Sequence, residues 1–242
     1  MPQIGAHRSQ NYKKSRKYTL NVVFFFYLYF NFFVPLHFIQ YFVVTLQSEV
    51  CNLFGLRLKF KNMMKVNVDD KLLRAAAENN DLDSFVQVFI DAINTAIGGQ
   101  LTAENMAELN SDQITLLAWS YLHEEMMDGG MIQLIHNGYG AFIWLNPTDK
   151  AFREWSESSD DCKCLHDLFK LINKSHKLWN LHHEEIEQDM SDEDFMALYE
   201  KYPEFDEFDD LFVSNEEEWT EAIARYIDEH IENFGNIIEN NE

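Results

Sequence analysis

Between Asp81 and Gly99 the apolar residues Leu82, Phe85, Val86, Phe89, Ile90, Ile93 and Ile97 recur at intervals of three and four, the stripe of one helix face. Gly98-Gly99 supplies a left-handed stop. Thr102 and Ser111 are placed to cap the next segments, and Ile114, Leu117, Ala118, Tyr121 and Leu122 carry the period toward Met126 until Asp128-Gly129-Gly130 interrupts it. Met131 to His136 reads as a short helix closed by Asn137-Gly138, while Ala141 to Leu145 fits helix or strand. The polar stretch Ser156 to Asp161 reads as a linker ahead of a long helix marked by Leu165, Leu168, Phe169, Ile172, His176 and Trp179. Ser191 with Asp194, and Ser214 with Glu217, look like capping boxes of two more helices. The last of these carries Trp219, Ile223, Tyr226, Ile227, His230, Ile231 and Phe234 on one face. Only Pro147 and Pro203 follow residue 62, so little interrupts helix, and no repeat of solenoid length is present. The expected fold class is therefore all-α: a compact multi-helix domain over about residues 64–236.

The chain divides chemically near Met63-Met64. Residues 1–62 hold eight bases and one acid, Glu49, whereas residues 63–242 hold eleven bases and forty acids, a net charge of −29. From Tyr18 to Ser48 no Asp, Glu, Lys or Arg occurs, longer than the roughly 20 apolar residues of a membrane helix. Read literally, residues 18–46 form a membrane anchor. Yet Phe24, Phe25, Phe26, Tyr27, Tyr29, Phe30, Phe32 and Phe33 crowd its middle, where Leu, Ile and Val are usual, and no small-residue cleavage site follows. The A/T-rich codon bias of Phe, Tyr, Asn and Lys, together with the absence of Met between Met1 and Met63, favours a misassigned start. The expected organisation is a 1–62 hydrophobic basic extension outside the fold and a 63–242 acidic helical domain.

A total of −22 repels nucleic acid and anionic lipid, and attracts basic proteins. No direct nucleic-acid contact is expected. Cys51, Cys162 and Cys164 are too few for a disulfide framework. The Cys162-x-Cys164 spacing is too tight for a zinc site, and His123-Glu124-Glu125 and His183-Glu184-Glu185 lack the second His of a zinc peptidase. Both histidine segments read as solvated helix faces. The Asp189–Asp194 and Asp206–Asp210 stretches lack the turn glycine of a calcium loop. No nucleophile elbow or phosphate-cradling loop occurs. No metal, no cofactor and no catalytic residue is expected.

What stands out is acid. Between Glu184 and Glu232, 20 carboxylates in 49 residues face only Lys201 and Arg225. Solubility is one explanation, but Phe205, Phe208, Leu211 and Phe212 interleave with the acids and imply an ordered scaffold. Helix positions three or four apart lie about 5–6 Å apart. Phosphates follow at one charge per roughly 3.4 Å of axis per DNA strand. Rows of Asp and Glu on helices can therefore imitate phosphate backbones. The candidate partner-binding surface comprises Glu184, Glu185, Glu187, Asp192, Glu193, Asp194, Glu204, Asp206, Glu207, Asp209, Asp210, Glu216, Glu217, Glu218, Glu221, Asp228, Glu229 and Glu232.

The run Asp128-Gly129-Gly130-Met131-Ile132-Gln133-Leu134-Ile135-His136-Asn137-Gly138-Tyr139-Gly140 resembles the Gly-Gly-x-x-Gln-x-x-x-Asn-x-x-Gly signature of the bacterial DNA-mimic protein family, specifically its C-terminal-domain family. With the helical lead-in at Leu116-Leu117-Ala118 and the acidic tail, the resemblance extends over most of Asp69 to Phe234. Met131 stands where the family often carries an aromatic residue. The resemblance implies an all-helical, dimeric, cytoplasmic protein whose acidic surface occupies the DNA-binding site of a transcriptional regulator or other basic DNA-binding protein. Gly129, Gly130, Gln133, Asn137, Gly138 and Gly140 are expected to be structural. The alternatives are an immunity-type inhibitor of a basic toxin nuclease and a membrane-anchored acidic protein using residues 18–46.

Overall fold

The computed structural model describes residues 63–79 and 81–239; the 1–62 extension and its membrane reading lie outside them. Strand β1 (Asn67–Asp69) leads into α1 (Asp70–Asn79) and α2 (Leu82–Ile97). Asp81 caps α2 by accepting the Ser84 N–H at 3.0 Å, and Gly98 ends it at φ 80°. A residue with a Cβ pays about 1–2 kcal/mol for that conformation. Thr102 and Asn105 cap α3 (Ala103–Met106) reciprocally. In α4 (Ser111–Asp128) the cap is Asn110 and not Ser111: the Asn110 side chain accepts from Gln113 N at 2.9 Å, and Gln113 returns a bond to Asn110 N. That reciprocal pair satisfies two of the free N–H groups, and leaves Ser111 as the first helical residue.

Next come α5 (Gly130–His136), α6 (Gly140–Trp144) and α7 (Thr148–Ser156). The ambiguous Ala141–Leu145 run is thus helical. Helix α7 escaped the periodicity argument because only two large anchors, Phe152 and Trp155, tie it to the core. Helix α8 (Leu165–Ile186) follows, then α9 (Asp192–Lys201), capped by Ser191, a 3-10 turn (Pro203–Phe205) and α10 (Asp206–Glu229). The helix start expected at Ser214 does not exist. Ser214 lies inside α10, where its hydroxyl donates to the Asp210 carbonyl at 2.7 Å, the back-bond open to an exposed mid-helix serine. Phe212, Trp219, Ile223 and Tyr226 keep one helical phase across that point, with no Pro or Gly to break it. The result is one helix of 24 residues.

Helix α10 is the spine, packed on α2, α4 and α8. Trp119 and Trp219 lie 5.9 and 5.5 Å from Phe212, and Trp155 stacks on Tyr226 at 4.4 Å. Burying each such side chain contributes about 1.5–3 kcal/mol. After His230, α11 (Ile231–Phe234) turns the chain into β2 (Asn236–Ile238), which pairs in parallel with β1, Val68 opposite Ile237. Asn110 and Gln113 donate to the Asn233 and Phe234 carbonyls, and Asp112 accepts from Asn233 and Trp155. The far end of α10 is thereby tied to the start of α4. Among the described residues no helix is long and apolar enough to cross a membrane.

Candidate functional site

The continuity of α10 decides how its carboxylates are arranged. At 100° per residue, Asp206, Asp210, Glu217, Glu221 and Asp228 fall within about 60° around the axis. At about 1.5 Å per residue they extend over about 33 Å. Glu207, Glu218 and Glu229 flank them, and all eight are exposed. One turn of B-DNA has nearly the same axial length, about 34 Å. At one phosphate per roughly 3.4 Å, a strand carries about ten charges over that length. Eight carboxylates on a rigid rod approach this density. Arg225 intrudes on the flank but is engaged by Glu221 at 2.5 Å.

Two of the candidate residues on α10 do not belong to this ridge. Asp209 and Glu216, seven positions apart, share the inward phase of Phe212 and Trp219. Glu216 meets His123 of α4 at 3.0 Å. The Asp209 carboxylate accepts the Met131 N–H of α5 at 2.9 Å. Burial pushes the Asp209 carboxyl up to about 6; the like charges of Asp206 and Asp210 add to this, and the Met131 bond opposes it. The sequence held the signal: each of the two stands three residues before a large buried aromatic.

The remaining candidates lie elsewhere. Glu184 and Glu185 close α8, with Glu187 next to them; Asp192, Glu193 and Asp194 open α9; Glu204 sits in the 3-10 turn and Glu232 in α11, all exposed. Glu204 contacts His182 at 3.2 Å. Glu185 pairs with Lys201 and accepts the Tyr202 hydroxyl at 2.6 Å, which together hold its carboxyl below the usual range. No described Lys or Arg pairs with Glu184, Glu187, Asp192, Glu193, Glu217, Glu218, Asp228 or Glu229. Helix stability explains acids at N-termini, where they favour the macrodipole by about 0.3–1 kcal/mol each. It does not explain Glu184, Glu185, Asp228 and Glu229 in last turns, where the same interaction is unfavourable.

The glycine motif holds the ridge's neighbours in place. Gly130 has φ 74°, and a Cβ there would lie 2.5 Å from Asp209 Oδ2. Tyr199 of α9 donates to the Gly129 carbonyl at 2.9 Å. A Cβ on Gly140 would lie 2.3 Å from Trp179 Nε1, so only hydrogen lets α6 approach α8. Gln133 donates to Asp128 at 2.6 Å, and Gly138 turns at φ 82° in open space. Asn137 donates to Glu125 at 2.8 Å; Glu125 is buried, which corrects the reading of His123-Glu124-Glu125 as a solvated face. Replacing Asn137 by Ala removes a donor from that buried carboxylate. The expected cost is about 1–3 kcal/mol in chemical unfolding, and an unchanged midpoint would show the bond to be idle.

Other chemistry is muted. Cys162 is buried, and burial, with Glu218 adding, raises the Cys164 thiol to about 11, so little thiolate exists at neutral pH. Among the described residues no group of three or more His, Cys, Asp or Glu is placed to hold a metal.

Fold and face together define an all-helical acidic protein that displays a row of carboxylates on an ordered helix. Residues 107–230 match the family described as DMP19-like protein, and the chain belongs to that family. It is 31% identical over 136 residues to the DNA mimic protein DMP19 of Neisseria meningitidis serogroup B, covering 55% of this chain and 77% of the relative. The family match is narrower than the Asp69–Phe234 span read from the sequence: it takes in α4 to α10 and leaves out α1, α2, α3, α11 and the closing sheet.

Proposed function

We propose that this chain is a non-catalytic cytoplasmic binding protein whose acidic domain, residues 63–242, occupies the DNA-binding surface of a basic protein such as a transcriptional regulator. The observation that carries the reading is the unbroken α10, with eight exposed carboxylates over about one DNA turn. Lys and Arg side chains spaced for phosphates meet charges at similar spacing, and the long-range field steers the encounter. Kinship with a protein named as a DNA mimic supports the same reading. The acids in unfavourable last turns add a further argument, since solubility alone does not require them there.

A pull-down from the native lysate tests it. The wild-type chain should retain a basic DNA-binding protein that a bait with Asp210→Asn, Glu217→Gln and Asp228→Asn does not. A captured protein that is neither basic nor DNA-binding, or one held equally by both baits, would count against the proposal.

A further inference from the structure

We infer that Asp209 is a positioning residue: its carboxyl clasps α10 to the Gly129-Gly130 turn and so sets where the acidic ridge stands on the helical body. The inference rests on the ridge being the contact face, as proposed above. One oxygen of Asp209 accepts the Met131 N–H, and the other faces Gly130, where a Cβ would lie 2.5 Å away. Tyr199 of α9 grips the same turn through the Gly129 carbonyl. Three elements thus meet at one point: the start of α5, the last turn of α9 and the first turn of α10.

A neutral acceptor such as Asn or Ser could make the Met131 bond without burying charge. The charge makes the clasp responsive to its surroundings. The groups facing it are Asp206 and Asp210 on its own helix, and Tyr199 from α9, which also feels Asp128 at the end of α4. Among the described residues no Lys, Arg or His pairs with it. A cationic surface over Asp206 and Asp210 relieves the repulsion that favours the proton, so Asp209 ionises more fully and holds Met131 more strongly. Docking on the ridge then tightens its own attachment.

The sign of the pH effect follows from linkage. A buried carboxyl whose value is raised from 3.8 to about 6 binds more protons folded than unfolded, so folding weakens as pH rises through that window. Asp209→Asn keeps the acceptor and loses the titration. In the full chain its advantage over wild type should be smallest below about pH 3.8, where Asp209 is protonated both folded and unfolded, and reach about 10- to 100-fold in the folding equilibrium at pH 7.5. Such a gain corresponds to roughly 3–10 °C in midpoint. In NMR the Met131 amide of the wild type should show a step near pH 6 that the variant lacks; an octalysine peptide should move that step lower. Amide exchange at Met131 and the first turn of α10 should quicken in Asp209→Ala and recover in Asp209→Asn. A stability difference constant across pH, or a Met131 amide without the step, overturns the clasp. Neither result touches the ridge, whose role is read separately by the pull-down.

Discussion

Neutralising the outward ridge of α10 with Asp210→Asn, Glu217→Gln and Asp228→Asn together is expected to weaken binding to the basic partner about 10- to 100-fold. An exposed charge pair contributes roughly 0.5–1 kcal/mol, so three absent pairs remove about 1.5–3 kcal/mol. All three residues are exposed, so the fold should survive with its circular dichroism unchanged. Binding should also depend less on salt, because fewer charges are left to screen. The matched control is Glu157→Gln, Asp160→Asn and Asp167→Asn in the base-rich stretch from α7 to α8. It removes the same formal charge away from the ridge, where these acids pair with Arg153, Lys163 and Lys170. Equal losses in the two triple variants, by isothermal titration, would mean that total charge acts and placement does not.

The second large effect is on stability. Gly140→Ala places a methyl 2.3 Å from Trp179 Nε1 and 3.3 Å from the Trp144 ring. Neither ring can retreat, since the two stack at 5.8 Å and the Trp144 N–H is fixed to the Ile172 carbonyl and the Ser175 hydroxyl. Overpacking of this kind costs about 1–3 kcal/mol, or roughly 3–10 °C in midpoint for a domain of this size. Gly138→Ala meets no atom within 4 Å and pays only for its positive φ, about 1 kcal/mol. Thermal unfolding should therefore rank Gly140→Ala well below Gly138→Ala; the reverse order would refute this packing account.

How much of this was legible in sequence depended on whether the signal was local. Helix α2 was readable at both ends, because Asp81, seven apolar residues and Gly98 all point the same way. Helices α5 and α8 were readable from their apolar positions alone, and the end of α8 at Ile186, which no glycine marks, was not. The unity of α10 was not, because Ser214-x-x-Glu217 has the composition of a cap and only the common phase of Phe212 and Trp219 contradicts it. The same misplaced break hid the inward turn of Asp209 and Glu216, two of the expected surface charges, which are half-buried. The β1–β2 pair had no local signature: three residues at each end, with Val66 and Asn236 separated by 170 positions, meet only because α11 returns the chain. The Gly-Gly motif was visible as a pattern, but its cause was not. It needs Asp209 and Trp179, which are 79 and 39 residues away from Gly130 and Gly140.

Whether the ridge and DNA compete for one surface can be read by titrating the chain into a complex of its captured partner with a labelled duplex. Fluorescence anisotropy follows the DNA, and native mass spectrometry counts the species. The account predicts mutual exclusion: free duplex is released in step with binding, and the triple ridge variant releases it only at far higher concentration. A stable ternary complex holding partner, duplex and this protein together would contradict it.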